Sequence, residues 1–309
     1  MQTYNNFRKH RFPPHSQVVA IGNFDGVHLG HRSLFDLTIT KARKLGLQAA
    51  ALTFRPHPLK LLFPDRRIFL ITSYERKADL IANCGIDNLV IAPFDHQFAD
   101  LTANEFVEKV LVQHLGAAVV VVGDNYTFGR NREGSLSRLQ ELGREWGFKV
   151  VVAPPCLVDG ELVSSTKIRE AIMQGEIEKA SRFLGRPCAI VGRVGRGKGR
   201  GRGIGFPTAN LVSEVELYPK EGVYAVWVEH QGKRYMGVVN IGYNPTFADT
   251  GLTVEAHVLD FDQDLYDQDL KIIFIEHLRS EKTCSGIEEL RQLIAADVSK
   301  TRQLLTGLR

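Results

Sequence analysis

Short apolar runs alternate with amphipathic segments from residue 17 to about residue 154. The apolar runs are VVAIG, LQAAALTF, NLVIA, AAVVVVG and KVVVAPP. The segments between them, such as HRSLFDLTITKARKLG and YERKADLIANCG, repeat apolar residues at helical spacing. Strands that alternate with helices in this way form a parallel, doubly wound α/β sheet, and ligands bind beyond the carboxyl ends of its strands. We therefore look for a site just after Ile21, Phe54 and Val122.

The periodicity changes near Gly185, after two short helical segments, TKIREAIMQG and EIEKASRFLG. The following segments alternate apolar and polar residues with period 2, as strands do: CAIVGRV, VYAVWVEH, RYMGVVNIG, LTVEAHVLD and DLKIIFIEHLR. An amphipathic helix from about residue 286 to about 305 closes the chain. This half predicts a small antiparallel β-barrel with a C-terminal helix. We place the two domains at residues 1–185 and 186–309.

The stretch GRVGRGKGRGRGIGFPTANL, residues 192–211, places glycines and cationic side chains ahead of Thr208 and Asn210. Glycines let successive backbone N–H groups form a concave anion site, to which cationic side chains add charge. The stretch is not a P-loop, because Gly199 stands where that motif has the Ser or Thr that binds magnesium. It is suited to phosphate and a metal ion. The residues expected to bind nucleotide here are Gly192, Gly197, Lys198, Gly199, Arg202, Gly205 and Pro207.

A second candidate, GNFDGVHLGH, follows the first predicted strand and leads into a helix. The N-terminus of a helix offers free N–H groups and the positive end of a dipole, which together favour an anion. His28 and His31 lie beside this site and can stabilise charge that develops on a phosphate during transfer. The residues expected to bind substrate in this loop are Gly22, Phe24, Asp25 and Gly26.

Two further segments carry candidate residues. The loop DNYTFGR follows the strand VVVV, and its residues Asn125, Tyr126, Phe128 and Arg130 suit a flat ring that bears phosphate. The segment SSTKIR places Ser164, Ser165 and Thr166 at the start of a helix, with Arg169 following. These hydroxyl groups either cap the helix or bind the outer phosphates of a nucleotide.

Composition and charge limit the classes of function. The formal net charge of +4 is mild, so small phosphorylated ligands suit the chain better than a nucleic acid does. The four cysteines are widely spaced, without the C-x-x-C pairs of zinc or redox sites. The N-terminus has no apolar signal core, and the longest aliphatic run, residues 117–122, is too short to span a bilayer. We expect a cytoplasmic protein with no membrane anchor and no nucleic-acid partner; assembly into a homo-oligomer stays open.

The motifs together resemble the bacterial bifunctional riboflavin kinase/FMN adenylyltransferase family, from about residue 17 to residue 298. The first half carries GNFDGVHLGH, FRPHP, DNYTFGRNREG and SSTKIR, and the second carries GRGIGFPTANL, GVYAVWV, GVVNIGYNPTF, TVEAHVLDFDQDLY and LRSEKT. The resemblance implies a nucleotidyltransferase-like α/β domain that transfers the adenylyl group of ATP to FMN. It also implies a β-barrel kinase domain that makes FMN from riboflavin and ATP.

The resemblance also assigns roles to residues. Its H-x-G-H pattern falls on His28 and His31, which stabilise the transition state at the α-phosphate, and Asn125, Ser164, Thr166 and Arg169 hold substrates and phosphates. Its P-T-A-N pattern falls on residues 207–210, where Thr208 and Asn210 bind Mg²⁺ and the phosphates of ATP. Glu255 matches the base of the kinase reaction. Riboflavin, FMN and FAD are then substrates and products, ATP is the co-substrate, and both steps are magnesium-dependent.

Three positions depart from the pattern of the family. Asp267 follows Leu-Tyr where a glycine is common, Cys284 replaces an aromatic residue, and Tyr126 stands where phenylalanine is frequent. The first two are not expected to carry chemistry, and Tyr126 keeps a face for stacking.

Two alternatives compete with a bifunctional enzyme. One is an enzyme with a single activity and a regulatory second domain. The other is an RNA-binding module that uses the basic loop; it predicts affinity that falls steeply with salt, and no ATP turnover. Residues 192–205 lack the interleaved aromatic residues that such a module uses.

Overall fold

The two halves that differ in periodicity fold as two units. The computed structural model describes residues 1–196, 203, 205–213, 215–243 and 252–307. The first unit is Met1–Ser165 and the second is Thr166–Arg309.

The apolar runs of the first unit form a six-stranded sheet in the order β1-β4-β3-β2-β5-β6, in which every pair is parallel. Its strands are β1 (Gln2–Tyr4), β2 (Gln17–Ile21), β3 (Gln48–Arg55), β4 (Asn88–Pro93), β5 (Ala117–Gly123) and β6 (Lys149–Ala153). A separate hairpin is formed by β7 (Leu157–Val158) and β8 (Glu161–Leu162). The parallel sheet confirms the fold class predicted for this half, and β1 adds an edge strand that the pattern does not predict.

Helices cover both faces of this sheet. They are α1 (Leu29–Leu45), α2 (Pro58–Leu62), α3 (Tyr74–Asn83), α4 (His96–Ala99), α5 (Ala103–Glu105), which continues as a π-helix (Phe106–His114), and α6 (Leu136–Trp146). Side chains of β2 alternate between two cores: Val18 and Ala20 pack in the layer that contains α1 and α3 residues, and Val19 and Ile21 pack in the layer of the π-helix and α6. The period-2 geometry of strands produces this division.

The strand order locates the ligand edge of the first unit. From β2 the chain passes to β3 and β4 on one side, and then to β5 and β6 on the other. The crevice of such a sheet lies at the carboxyl ends of the two strands where the direction reverses, here β2 and β5. The residues that follow them are the predicted loops at 22–28 and 124–130.

The period-2 segments of the second unit form a closed antiparallel barrel in the order β10-β13-β12-β11-β14-β9, as predicted. Its strands are β9 (Ala189–Gly195), β10 (Ala209–Val212), β11 (Gly222–His230), β12 (Lys233–Tyr243), β13 (Leu252–Val258) and β14 (Asp269–Arg279). The helices are α7 (Ser165–Gln174), α8 (Ile177–Leu184) and the C-terminal α9 (Ile287–Thr306). In the described part of the chain, no helix has the length and apolar character needed to cross a membrane.

The helices α7 and α8 pack with the barrel. The N–H of Lys220 donates to the carbonyl of Ile172, and the N–H of Cys188 donates to the hydroxyl of Ser181. The sequence-based division at residues 185 and 186 assigns these helices to the first domain instead. That the two functional domains meet at residues 185 and 186 stays a prediction.

The C-terminal helix is fixed to the barrel by an ion pair whose carboxylate is buried. Asp297 on α9 is 7% exposed, and its carboxylate accepts hydrogen bonds of 3.0 and 2.8 Å from Nε and a terminal nitrogen of Arg279. Removing one partner of a buried pair leaves an uncompensated charge. We expect Arg279→Met to lower the free energy of unfolding by about 3 kcal/mol, measured by urea denaturation. The exposed pair of Arg302 and Asp260 supplies the control, since Arg302→Met should change stability by less than about 1 kcal/mol; equal losses would contradict the assignment.

Candidate functional site

The loop after β2, residues 22–27, has an unusual backbone. Phe24 and Val27 have φ values of 52° and 41°, in the left-handed region that β-branched and bulky residues avoid, and Gly26 has a φ of 83°. The side chains of Phe24 and Val27 are almost completely buried, at 1% and 0% exposure. Such conformations persist only where the surrounding contacts enforce them, and they concentrate at functional sites.

Asp25 fixes this loop from within the protein. It is 3% exposed, and its carboxylate accepts hydrogen bonds from the N–H groups of Ile71 at 3.1 Å and Thr72 at 3.2 Å. Its carbonyl accepts a 3.0 Å bond from the hydroxyl of Ser165. The structure thus brings two residues predicted to bind substrate, Asp25 and Ser165, together as partners that hold the loop. The N–H of Gly22, also a predicted site residue, donates to the carbonyl of Leu52.

The two histidines lie at the N-terminus of α1. His28 is the N-cap, and its Nδ1 accepts a 3.3 Å hydrogen bond from the N–H of His31. Because Nδ1 accepts, the ring proton of a neutral His28 lies on Nε2, which becomes its donor. The two rings stack with centroids 3.6 Å apart. A Cβ at Gly30 would lie 3.2 Å from Cε1 of His28, so the glycine of H-x-G-H leaves room for this ring.

A buried lysine lies against the same loop. Lys77 on α3 is 6% exposed, and its Nζ donates to the carbonyl of Asn23 at 3.1 Å and to the hydroxyl of Thr53 at 3.0 Å. Burial lowers the pKa of Lys77 to about 8, with a smaller opposing effect from Asp25 and a further lowering by Arg55. The sequence analysis did not identify this residue.

The two aromatic residues predicted to contact a ligand in the loop after β5, Tyr126 and Phe128, differ in burial. Phe128 is 6% exposed and belongs to the hydrophobic core, whereas Tyr126 is half-buried and stacks on it with ring centroids 5.7 Å apart. Burial raises the pKa of the Tyr126 phenol, which keeps its proton at physiological pH. Asn125 and Arg130 have exposed side chains. Tyr126, not Phe128, is therefore the ring placed nearer the surface.

The remaining predicted residues of the adenylyl-transfer motifs lie at or beyond the start of α7. Ser164 directly precedes the helix, Thr166 is exposed on its first turn, and Arg169 is half-buried one turn later. Ser164 and Arg169 each make polar contacts. Their binding of phosphates stays a prediction.

Strand pairing in the barrel brings two residues predicted for the kinase site, Asn210 and Glu255, into one row with Asn240. Asn210 on β10 is directly opposite Glu255 on β13, and Glu255 is directly opposite Asn240 on β12. Directly paired residues of neighbouring antiparallel strands project from the same face, with Cβ atoms about 5 Å apart. All three side chains are half-buried. Nδ2 of Asn240 donates a 3.1 Å hydrogen bond to Oε1 of Glu281, so this contact orients the end of the row.

The residues that lead into β10 are tied to β13. His257 lies two positions after Glu255, and its Nδ1 donates a 2.8 Å hydrogen bond to the carbonyl of Pro207. The ring of His257 also meets the ring of Phe206 edge to face, with centroids 5.4 Å apart. This contact positions Thr208, which is half-buried and directly precedes the strand. Gly205 has a φ of 88° and is exposed.

Part of the basic loop is strand. Gly192 lies in β9 and is paired with Leu270 of β14. A Cβ atom on Gly192 would lie 2.8 Å from the carbonyl oxygen of Val212. The close approach of neighbouring backbone thus gives Gly192 a structural reason to be glycine. Four other residues predicted to bind nucleotide lie outside the described residues: Gly197, Lys198, Gly199 and Arg202.

Asp267 stands where glycine is common in the family that the chain resembles. The backbone conformation at this position explains why glycine is common there. Asp267 has a φ of 60°, in the region that glycine adopts without steric cost. Its carbonyl accepts a 2.9 Å hydrogen bond from Nε of Arg193, and its N–H donates to the carbonyl of Val194. Aspartate is among the residues that tolerate this conformation.

Several residues of these sites are missing from the sequence-based set: Gly30, Lys77, Asn240, His257 and Glu281. Four of them lie within motifs already recognised in the sequence: Gly30, Asn240, His257 and Glu281. Membership in those motifs could have identified them as candidate site residues. Lys77 has the appearance of an ordinary solvent-facing residue in an amphipathic helix.

Two family models match successive parts of the chain. The model described as FAD synthetase matches residues 11–167, and the model described as riboflavin kinase matches residues 184–305.

Full-length relatives give the same result. The chain is 38% identical to a bifunctional riboflavin kinase/FMN adenylyltransferase of Escherichia coli (strain K12), over 94% of this chain and 93% of the relative. It is also 38% identical to the protein of that name from Listeria monocytogenes, over 95% of this chain and 94% of the relative. A crystal structure described as a macrolide-efflux protein from Streptococcus pneumoniae is similar over 97% of this chain and 98% of that chain, with 31% identity and a TM-score of 0.86.

Proposed function

Since this chain belongs to the family of bifunctional riboflavin kinase/FMN adenylyltransferases, we propose that its two reactions take place at two separate sites, one in each half of the sequence. The enzyme phosphorylates riboflavin to FMN with ATP, and then joins FMN to the adenylyl group of a second ATP to give FAD and pyrophosphate. The family membership favours this activity over an RNA-binding module and over a single-activity enzyme.

We assign adenylyl transfer to the 22–31 segment. A phosphate oxygen of FMN attacks the α-phosphorus of ATP, the bond from that phosphorus to the bridging oxygen breaks, and pyrophosphate leaves. The protein needs to position the two phosphates and to stabilise the charge on the transferring group. Nε2–H of His28 and the N–H groups at the start of α1 are donors suited to that charge. His31, stacked on His28, shares this role.

We assign phosphorylation of riboflavin to the row on the barrel. The terminal ribityl hydroxyl attacks the γ-phosphorus of ATP, the bond to the β–γ bridging oxygen breaks, and ADP leaves. Glu255 accepts the proton of that hydroxyl as general base. The observation that carries this assignment is the register of β10, β13 and β12, which places Asn210 and Asn240 on either side of Glu255.

The side chains of this row fit Mg²⁺. This ion prefers oxygen ligands and is usually held by one or two carboxylates together with the phosphates of its substrate. Thr208 offers a hydroxyl and Asn210 an amide oxygen, with the Glu255 carboxylate opposite Asn210. Bound Mg²⁺ would neutralise charge on the phosphates of ATP.

A time course of flavin conversion tests these proposals. We expect the purified chain with riboflavin, ATP and Mg²⁺ to form FMN first and FAD later, as separated by chromatography. With a chelator in place of Mg²⁺, neither product should form. Turnover in the presence of the chelator would contradict the magnesium proposal. FMN that accumulates without FAD, even when FMN is the starting substrate, would contradict the assignment of the 22–31 segment.

The other expectations from the sequence stay proposals. They are a cytoplasmic location, the absence of a nucleic-acid partner, and phosphate contacts by the glycine-rich loop and by Ser164, Thr166 and Arg169.

A further inference from the structure

Lys77 is a buried charge for which neither reaction has yet given a use. Burying an ammonium group costs free energy unless its donors are satisfied and a charge of opposite sign is near. Its hydrogen bonds reach neutral oxygens, the carbonyl of Asn23 and the hydroxyl of Thr53. A neutral side chain of similar length would fill the same space without this cost, so the position of the charge requires a reason.

The contacts of Lys77 converge on one backbone group. The carbonyl of Asn23 accepts from Nζ of Lys77 at 3.1 Å and also from the hydroxyl of Thr53 at 3.0 Å. Nζ and that hydroxyl are themselves 3.0 Å apart, so the three groups form a closed triangle. Thr53 is fully buried in β3, which makes the triangle a fixed support.

The position of the Asn23 carbonyl influences the backbone path of the 22–27 loop. Its carbonyl belongs to the peptide group that ends at Phe24, where the backbone first enters the left-handed region. The path from there determines where the N-cap His28 and the N–H groups of α1 point. A displacement of about 1 Å at a reacting group can reduce a rate about 100-fold.

We propose that Lys77 is a positioning residue for adenylyl transfer, which fixes the carbonyl of Asn23 and places a buried positive charge beneath the loop that receives the phosphates. This inference rests on the assignment of adenylyl transfer to the 22–31 segment. Lys77 acts through the backbone that carries His28 and not by contact with a substrate.

The charged groups around Lys77 make its action depend on pH. Asp25, in the loop, favours the ammonium form, and Arg55, at the end of β3, opposes it. Arg55 in turn pairs with the exposed Glu75 at 3.3 Å, and the ring of Tyr74 lies 5.2 Å from Nζ of Lys77. Burial is the largest effect and brings the pKa to about 8. The ammonium form therefore predominates at pH 7 and is lost as the pH rises through about 8.

The experiment compares Lys77→Met with the wild-type chain and with Lys44→Met. Lys44 is an exposed lysine near the end of α1 and serves as the matched control. For each protein, kcat and KM for ATP are measured in the conversion of FMN to FAD over a range of pH. The conversion of riboflavin to FMN by the same preparation reports whether the barrel unit is folded, and a thermal melt followed by circular dichroism reports whether the first unit, which contains Lys77, is folded.

We expect Lys77→Met to lower kcat for FAD formation by about 10- to 100-fold, with a smaller change in KM, while FMN formation and both activities of Lys44→Met stay at wild-type levels. The wild type should lose kcat/KM as the pH rises through about 8, where Lys77 loses its proton, and Lys77→Met should lack this alkaline limb. Unchanged kcat, or an alkaline limb that persists in Lys77→Met, would overturn the proposal.

A second variant keeps the test decisive if Lys77→Met does not fold. Thr53→Val preserves shape and removes one of the two donors to Asn23, and we expect about a fivefold loss of kcat for FAD formation alone. Unchanged kcat in this variant would overturn the role of the triangle. His28→Ala distinguishes a wrong site assignment from a wrong role for Lys77. If His28→Ala retains FAD formation, the site assignment fails. If it loses FAD formation while Lys77→Met and Thr53→Val do not, only the role of Lys77 fails.

Discussion

His28→Ala is expected to lower the rate of FAD formation from FMN by about 10²- to 10³-fold, while FMN formation from riboflavin is retained. The variant removes the Nε2–H donor that we place at the α-phosphate of ATP. Stopped assays with FMN and ATP, followed by chromatography of the flavins, measure the first reaction. The same preparation with riboflavin measures the second reaction and shows that the barrel unit has folded.

His28 is also the N-cap of α1, so loss of activity needs a control for loss of the cap. His28→Asn supplies it, because asparagine is among the best N-cap residues and an alanine at this position costs about 1 kcal/mol of helix stability. We expect His28→Asn to restore stability in a thermal melt without restoring FAD formation. If His28→Asn is as active as the wild type, the histidine serves as a cap and its role in adenylyl transfer is wrong.

Glu255→Gln is expected to lower FMN formation from riboflavin by about 10²- to 10⁴-fold, while FAD formation from added FMN stays unchanged. The substitution keeps the size of the side chain and its place between Asn210 and Asn240, but removes the carboxylate that we assign as acceptor of the proton from the ribityl hydroxyl. Single-turnover assays with riboflavin and excess ATP report the chemical step.

Glu276→Gln is the matched control for this variant. Glu276 lies on β14 of the same barrel, and its carboxylate forms a partly exposed ion pair of 3.2 Å with Lys300. Such a pair contributes about 1 kcal/mol or less to stability, so both activities should persist in Glu276→Gln. A Glu255→Gln enzyme that phosphorylates riboflavin at the wild-type rate would exclude Glu255 as the base.

The local pattern of the chain was sufficient for the architecture. Strand–helix alternation in the first half predicted the doubly wound sheet, and period-2 strands with a closing helix predicted the barrel; both are confirmed. The helix predicted at YERKADLIANCG is α3 (Tyr74–Asn83), and the one predicted at HRSLFDLTITKARKLG is α1 (Leu29–Leu45). Each of these signals depends on residues a few positions apart, which a sequence displays directly.

Contacts between distant residues lay beyond that pattern. Lys77 meets Asn23 from 54 positions away, and Asp25 meets Ile71 from 46 positions away. The helical period places Lys77 on α3 but does not state what packs over it. Burial of a charged residue is decided by the neighbours that the fold supplies, so the sequence alone did not distinguish Lys77 from a solvated lysine.

The motifs by themselves predicted a phosphate-binding strand–loop–helix in one half and the polar site residues Thr208, Asn210 and Glu255 in the other, because each motif is a continuous segment with its own chemistry. Only the tertiary structure decided that Asn210, Glu255 and Asn240 form one row, since a shift of one residue in strand register would turn alternate side chains to the opposite face. It likewise decided that the ring N–H of a neutral His28 lies on Nε2, because Nδ1 accepts a hydrogen bond. Register and hydrogen bonding arise from packing across the whole fold, and no local pattern contains them.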